Sequence, residues 1–457
     1  MNILILGAGQ VGTTAAYHLA TEEANEVTIV DADPAVLRDL QDRLDVRTVV
    51  GHASFPDVLE RAGAREADII IALTNSDEVN MIACQIAYTL FQTPTKIARI
   101  RAAEYISSEP LWRQEAVPVD FRISPEELVT DHIEQLIHYP GAFQVLEFAK
   151  GAVRLVGARA HRGGLLVGQQ VKALKDHVPG IETRIAAVYR SGQSILPDGN
   201  TLIQENDEVF FLAARKDIRR VMSEMRKLED PVRRVVIAGG GNIGFRLAAA
   251  LEPTNQVKVI EHNKARARAI SERLSKSIVL HGDAADEELL LEENIDSSDV
   301  FVALTNAEES NILSAMVAKK LGCKKVMALI TRPSYADLVE ADAIDVAISP
   351  RQITIGSLLE HVRRGDVVKV HSLRRGRAEA IEAIAHGTEK DSKVVGRPVE
   401  DIKLPPGTSM NVIVRGDKVM EAHHDTVVEQ DDHIIMFITD RRQTSAVEKL
   451  FQVEVKL

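Results

Sequence analysis

Two stretches constrain this chain before anything else. "NILILGAGQVG" at 2–12 and "RVVIAGGGNIG" at 234–244 are each a short apolar run ending in a glycine-rich turn. The turns lie 232 positions apart, at 7 and 239, and ordered matches recur near that spacing. "VTIVDAD" (27–33) matches "VKVIEHN" (257–263), "VVGHAS" (49–54) matches "VLHGDAA" (279–285), and "IALTNSDEVNMIACQIA" (71–87) matches "VALTNAEESNILSAMVA" (302–318). "ISPEELV" (123–129) matches "ISPRQIT" (348–354). Farther on, "LLVGQQVKALKDHVPG" (165–180) resembles "KVVGRPVEDIKLPPG" (393–407), and "NTLIQENDEVFFLA" (200–213) resembles "DTVVEQDDHIIMFI" (425–438). Matches in one order with small drifts mean an internal duplication, with insertions falling in loops.

Each half begins with apolar strands alternating with helical patterns, which require parallel crossovers and a doubly wound sheet. "NILILG", "EVTIVDAD", "VRTVVG", "ADIIIALT", "KIARIR" and "VDFRIS" read as six strands. "PEELVTDHIEQLI" (125–137) reads as an amphipathic helix leaving the sheet, and "RQITIGSLLEHVRR" as its second copy. The segments that follow carry short alternating runs, "AVRLVGARA", "RIAAVYR", "NTLIQ" and "DEVFFLA", and read as small α+β units richer in strand than helix. The fold expected is α/β: two tandem Rossmann-like domains, 1–140 and 231–364, each followed by a small α+β domain, 141–230 and 365–457.

A glycine turn between strand and helix, with an acid at the end of the next strand, is a dinucleotide-binding context. Gly7 permits the tight turn, Gly9 lets a pyrophosphate approach the backbone, and Gly12 lets the helix pack closely on the strand. Gln10 and Val11 lie in the turn, which leads into the helical pattern "TTAAYHLA", and the N–H groups and dipole of the helix N-terminus favour phosphate. Asp31 stands where a carboxylate accepts from ribose hydroxyls and repels a 2′-phosphate, so NAD is favoured over NADP. The second copy supplies Gly239, Gly241, Asn242, Ile243, Gly244 and Glu261. His52 and Asp283 follow the third strands (after Gly51 and Gly282) and differ in type, so the two sites are expected to differ in preference. Thr74, Asn75, Thr305 and Asn306 suit either phosphate and ribose contacts or helix N-caps. Arg101 aligns with Arg332, each either a phosphate contact or a surface ion pair. Aspartate at Gly12 is expected to put a carboxylate in the phosphate site and leave the chain folded.

Several classes are disfavoured. A net charge of −12 argues against general nucleic-acid binding, despite local pairs such as Arg363-Arg364 and Arg374-Arg375. Cys84 and Cys323 are the only cysteines, so neither a disulfide framework nor a zinc site is expected, and a reducing cytoplasm is inferred. The chain reads straight into a strand without a signal-peptide pattern, and no apolar run is long enough to span a bilayer. Such a chain conducts no ion itself. No catalytic or metal-ligand constellation accompanies the glycine turns. His161 and His177 lie beside no Cys or carboxylate constellation, the pair His423-His424 reads as a solvated loop rather than a metal site, and the acids of "SDE" (76–78) and "AEE" (307–309) suit the first turn of a helix. A nucleotide sensor is therefore expected rather than an enzyme.

With "GAGQVG", "IVDAD", "LTNSDEVNMIACQIAYTLF", "RIRAAEY" and "VHSLRRGRAEAIEAIAHG", the whole chain resembles the cytosolic regulatory subunits of bacterial Trk potassium uptake systems, built from tandem RCK domains. The resemblance implies a homo-oligomeric, tetrameric gating ring that binds NAD(H) and ATP or ADP. It implies docking on the cytoplasmic face of the inner membrane, against a membrane-embedded Trk K⁺ channel subunit. The family's nucleotide positions fall on Gly7, Gly9, Gly12, Asp31, Thr74 and Arg101, and on Gly239, Gly241, Gly244, Glu261, Thr305 and Arg332. The competing readings are an NAD-dependent oxidoreductase and the regulatory subunit of another cation transporter.

Overall fold

In a computed structural model the described residues are 1–21, 25–332, 334–335, 343–362, 367–373 and 378–452. The paired arginines at 363–364 and 374–375 lie outside them. The chain divides into two compact units: Met1–Leu128 with Pro350–Val362, and Val129–Ser349 with Arg363–Leu457.

The first unit holds a six-stranded parallel sheet: β1 (Asn2–Leu6), β2 (Glu26–Asp31), β3 (Arg47–Val50), β4 (Ile69–Ala72), β5 (Thr95–Arg99) and β6 (Phe121–Ile123). Its order is β3-β2-β1-β4-β5-β6. Alternation divides the strand side chains between two faces. Ile3, Ile5, Ile29, Ile69, Ile71 and Ile97 face one helical layer, and Leu4, Leu6, Val30, Ile70, Ala72 and Ala98 face the other. The helix Pro350–Val362, from the far end of the second repeat, closes the first face. Its Ile355, Leu358, Leu359 and Val362 join that core, and His361 stacks on Phe121 with ring centroids 4.0 Å apart.

The second unit repeats the parallel sheet and adds two smaller ones. Its parallel strands are β12 (Arg234–Ala238), β13 (Gln256–Glu261), β14 (Ile278–His281), β15 (Val300–Ala303), β16 (Lys325–Leu329) and β17 (Val346–Ile348), in the order β14-β13-β12-β15-β16-β17. The first small sheet has β7 (Ala142–Phe148), β8 (Val153–Arg159), β9 (Thr183–Arg190), β10 (Gln193–Ile195) and β11 (Glu208–Ala214), in the antiparallel order β10-β9-β11-β8-β7. The second has β18 (Val367–Leu373), β19 (Ala378–Ile384), β20 (Thr408–Arg415), β21 (Lys418–Glu421) and β22 (His433–Ile438), with the same topology. The two small sheets pack face to face. Phe148, Leu155, Phe210 and Leu212 share one core with Ala380, Val412, Ile435 and Phe437.

"NTLIQ" differs from expectation. It is not a strand, and only Leu202 makes an isolated bridge, to Gln170. Irregular backbone bonds, Ile203 N to Gln169 O at 3.0 Å and Val171 N to Thr201 O at 2.9 Å, and side chains share its hydrogen bonds. Arg190 donates to Leu202 O at 2.8 Å, and Asp207 accepts from Gln204 N at 2.8 Å. Arg190 also grips the fully buried Asp207 through two bonds of 2.9 and 2.8 Å. Arg415, Val427, Glu429 and Asp432 repeat this arrangement in the second small sheet.

Helix residues Val129–His138 belong to the second unit, where buried Lys325 donates to Leu136 O at 3.3 Å and to Ala142 O at 2.9 Å. Burial pushes the Lys325 amine down from 10.5 to about 8. Between those values the unfolded chain holds a proton that the folded chain has released, so stability rises with pH across that window. Lys325→Met is expected to flatten the rise in thermal melts recorded from about pH 8 to about 10.5; an undiminished slope would assign it to other groups.

Candidate functional site at the glycine turns

Parallel strands put all their carboxyl ends on one edge, where ligands of doubly wound sheets bind. In the first unit this edge brings together the Gly7–Gly12 turn, Asp31, Thr74, Asn75 and Arg101, with His52 beyond β3. In the second unit the same edge carries Gly239–Gly244, Glu261, Asp283, Thr305 and Arg332.

The three glycines of each turn are glycine for three different reasons. Gly7 has φ +102° and lies 3.0 Å, from where a Cβ would stand, against the Thr74 backbone. A Cβ at Gly12 would stand 1.9 Å from Gly7 O, so any side chain there breaks the turn. Aspartate at Gly12 therefore does not leave the chain intact as expected from sequence. Gly9 differs from both. Its φ is −68°, it sits at the N-cap of the helix Gln10–Ala20, and a Cβ there would meet nothing within 4 Å. Gly239, Gly241 and Gly244 repeat each value closely, with φ +101° at Gly239 and 1.9 Å at Gly244. Gly241 is likewise an N-cap, φ −65°, with open space around it. Relative to glycine, Ser, Asp or Asn at such a position stabilises a helix by roughly a few tenths of a kcal/mol. Both copies forgo that side-chain cap.

The acids hold the turns. Asp31 accepts from Ala8 N at 2.6 Å and from Asp33 N at 2.9 Å, and Glu261 accepts from Gly240 N and Asn263 N, both at 2.7 Å. A carboxylate oxygen keeps a further lone pair for a ribose hydroxyl. Arg266, where the first copy has Val36, also donates to Gly240 O at 2.8 Å.

Thr74 and Thr305 are not helix caps. Their hydroxyls donate at 2.6 Å to Asn80 and Asn311, which are fully buried and also donate to the last residue of the fifth strand, Arg99 O and Leu329 O. Ser76 caps the first helix through Val79 N, and Ala307 gives the second no side-chain cap. Asn75 and Asn306 are exposed, and Asn75 O accepts from the Arg101 guanidinium at 2.5 Å. The paired asparagines were readable only as identical polar residues inside "DEVNM" and "EESNI".

Arg101 and Arg332 are not structural counterparts. The first copy carries a π-turn over Ala87–Phe91 where the second continues as a regular helix, Glu308–Lys320. A π-turn absorbs one extra residue, and the spacing between the copies drops by one beyond it. Asp77 accepts from Arg101 N and Ala102 N, while Glu308 accepts from Thr331 N and Arg332 N, all at 2.8 Å. Thr331 thus stands in for Arg101, and Arg332 for Ala102. The Arg332 guanidinium is taken by Glu308 at 2.8 Å and by Glu309.

His52 Nδ1 pairs with Ser54 Oγ at 2.9 Å, and its ring lies 4.9 Å from that of exposed Phe55. Asp283 instead accepts from Ala285 N in its own turn.

Residues 3–119 and 235–350 each match the TrkA-N domain model, and residues 155–226 match the TrkA-C domain model. The Trk system potassium uptake protein TrkA of Halomonas elongata is 59% identical over 453 residues, with 99% of each chain covered. The chain belongs to the TrkA family. The TrkA of Vibrio alginolyticus is 58% identical over the same length, again with 99% of each chain covered, and that of Haemophilus influenzae is 47% identical with the same coverage. Among solved structures, the GsuK RCK domain superposes with a TM-score of 0.61 at 18% identity, covering 98% of this chain and 94% of that one. The GsuK channel bound to NAD gives 0.60 at 18% identity, covering 98% of this chain and 78% of that one. At that identity the likeness is one of fold. The two TrkA-N matches fall on the two parallel sheets, and the TrkA-C match lies within the first small sheet and the helix after it. No described helix is long and apolar enough to cross a membrane.

Proposed function

We propose that this chain is the nucleotide-responsive regulatory subunit of a K⁺ uptake system. It binds NAD(H) and ATP or ADP at its glycine turns and assembles into a homo-oligomeric, tetrameric gating ring. The ring docks on the cytoplasmic face of a membrane-embedded Trk channel subunit, whose conductance it sets. The layout is a Rossmann-like and a small domain, twice over, at 1–140, 141–230, 231–364 and 365–457. The observation that carries the nucleotide reading is the open space at Gly9 and Gly241. Neither φ nor packing requires glycine there, and both helices go without a cap, which fits a turn kept clear for phosphate. Asp31 and Glu261 stand one strand over, in reach of the ribose. The potassium reading rests on full-length similarity to relatives named as Trk potassium uptake proteins.

Ligand binding that favours one arrangement of a ring can pass about 1–3 kcal/mol to a partner. The test is Rb⁺ flux into liposomes holding the Trk channel subunit. Flux is expected to change on adding ATP or NADH only when this chain is present. Flux indifferent to the chain, with or without nucleotide, would overturn the reading.

A further inference from the structure

A helix seldom buries a polar side chain, and one that is buried must find hydrogen bonds. Asn80 and Asn311 are both 0% exposed. Each spends its whole carboxamide on one threonine and one strand end. Asn80 Oδ1 accepts from Thr74 N at 3.0 Å and from Thr74 Oγ1 at 2.6 Å, and Asn80 Nδ2 donates to Thr74 O at 3.3 Å and to Arg99 O at 2.9 Å. Asn311 makes the same four bonds. It accepts from Thr305 N at 2.8 Å and from Thr305 Oγ1 at 2.6 Å, and it donates to Thr305 O and Leu329 O, both at 3.0 Å. A backbone N–H only donates and a carbonyl only accepts, so the main chain fixes which way each carboxamide points. The flanking residues differ between the copies, Val79 and Met81 against Ser310 and Ile312, and the strand end changes from Arg99 to Leu329. The asparagine does not change.

These bonds sit where the sheet opens toward a ligand. Leu73 N donates to Leu6 O at 2.8 Å, which carries the β1–β4 ladder to the residue before Gly7. On the β5 side Thr74 meets the carboxamide instead of the strand, and the carboxamide in turn holds Arg99 O. Gly7 lies against the Thr74 backbone, 3.0 Å from where its Cβ would stand, and Gly239 lies against Thr305 at the same distance. The threonine peptide is therefore the floor under each glycine turn. The asparagine fixes that floor to the end of the fifth strand.

Resting on the nucleotide reading above, we propose that Asn80 and Asn311 are positioning residues for nucleotide at the two turns. Neither touches the ligand, because both are fully buried. Each holds the peptide on which its glycine turn rests and keeps turn and strand end at one spacing. A carboxamide is suited to this because it is neutral, accepts on one side and donates on the other. Leucine has the volume without the bonds, and an ionised aspartate accepts on both sides.

The experiment is a titration of the full chain with NADH from about pH 6 to about pH 9, the range into which burial raises a carboxyl group. Asn80→Asp/Asn311→Asp is compared with the unsubstituted chain at each pH. An ionised carboxylate keeps both bonds from the threonine but turns a charged oxygen toward Arg99 O and Leu329 O. Protonated, it donates there as Nδ2 does. The affinity of the variant relative to the unsubstituted chain is therefore expected to rise about tenfold or more as pH falls, as an unsatisfied buried acceptor regains its donor. The charged groups along these edges, Asp77, Arg99 and Arg101 in the first copy and Glu308 and Arg332 in the second, are present in both chains, so the ratio removes their titration. Circular dichroism checks that both chains are folded at each pH. A purely structural role would lower the melting temperature and leave the ratio flat. A flat ratio, or equal affinity of the two chains throughout, would overturn the proposal and leave the nucleotide reading standing. Asn80→Ser/Asn311→Ser serves if the aspartate chain unfolds at high pH. Its hydroxyl is too short to join threonine and strand end, so weaker NADH binding by a folded chain is expected, and unchanged affinity would again overturn the proposal. If NADH does not bind the unsubstituted chain, the nucleotide reading fails and this proposal with it.

Discussion

Gly9→Asp is expected to abolish nucleotide binding at the first turn without lowering the melting temperature. The backbone at Gly9 is extended, φ −68° and ψ −174°, which any residue adopts, and a Cβ there meets nothing. Aspartate is moreover a preferred N-cap, so the variant helix gains a partner for its first N–H groups. The same carboxylate would sit where a phosphate must. Two unit charges about 4 Å apart repel by roughly 4 kcal/mol at an effective dielectric of about 20. A loss of affinity of about a hundredfold or more is therefore expected in NADH and ATP titrations of the Gly9→Asp/Gly241→Asp chain. Gly12→Ala provides the contrast. Its methyl would stand 1.9 Å from Gly7 O, so it is expected to lower the melting temperature and lose binding together. Affinities within about threefold of wild type in the doubly substituted chain would remove the phosphate from the glycine turns.

Arg190→Ala is expected to cost about 2–3 kcal/mol of stability, below the roughly 3–5 kcal/mol for a fully buried pair because the arginine is 32% exposed. Asp207 is 1% exposed and takes both guanidinium bonds, while the same arginine caps Leu202 O. Without it a carboxylate is left buried, and the segment that never became a strand loses its support. Arg415→Ala is expected to behave the same way, because Asp432 is fully buried in the equivalent place. Denaturant unfolding of the full chain measures this. The paired replacement Arg190→Met with Asp207→Leu should recover part of the loss, since no charge then remains buried. A single Arg190→Ala that costs under about 1 kcal/mol would mean that water reaches Asp207 and the pair is only a surface bridge.

Much of the architecture was readable because it rests on periodicity. Runs such as "NILILG" and "ADIIIALT" are apolar on both faces, as strands covered on both sides must be, and they became β1 and β4. The turn glycines were readable through spacing, although which of them tolerates a side chain was not, since that depends on where Gly7 O points. Other features depended on contacts distant in sequence. The Arg190–Asp207 clamp spans a loop whose sequence "NTLIQ" alternates like a strand. The buried Asn80 and Asn311 sit among helical residues, where polar groups ordinarily face water. The π-turn over Ala87–Phe91 shifted the correspondence between the copies by one residue. For that reason Arg332 mirrors Arg101 by sequence spacing yet occupies the place of Ala102. The exchange that brings Pro350–Val362 onto the first sheet left no local signal, because an amphipathic helix shows which of its faces is apolar but not which sheet it covers.

Nucleotide held at the glycine turns is expected to control K⁺ uptake. The most direct test is Rb⁺ uptake at limiting external K⁺ in cells lacking this chain and their other K⁺ uptake systems. The cells are supplied either with the wild-type chain or with the Gly9→Asp/Gly241→Asp chain at matched abundance. Restored uptake with wild type and not with the doubly substituted chain is the result predicted. Equal restoration by both would contradict the claim, leaving a chain that supports transport without reading nucleotides.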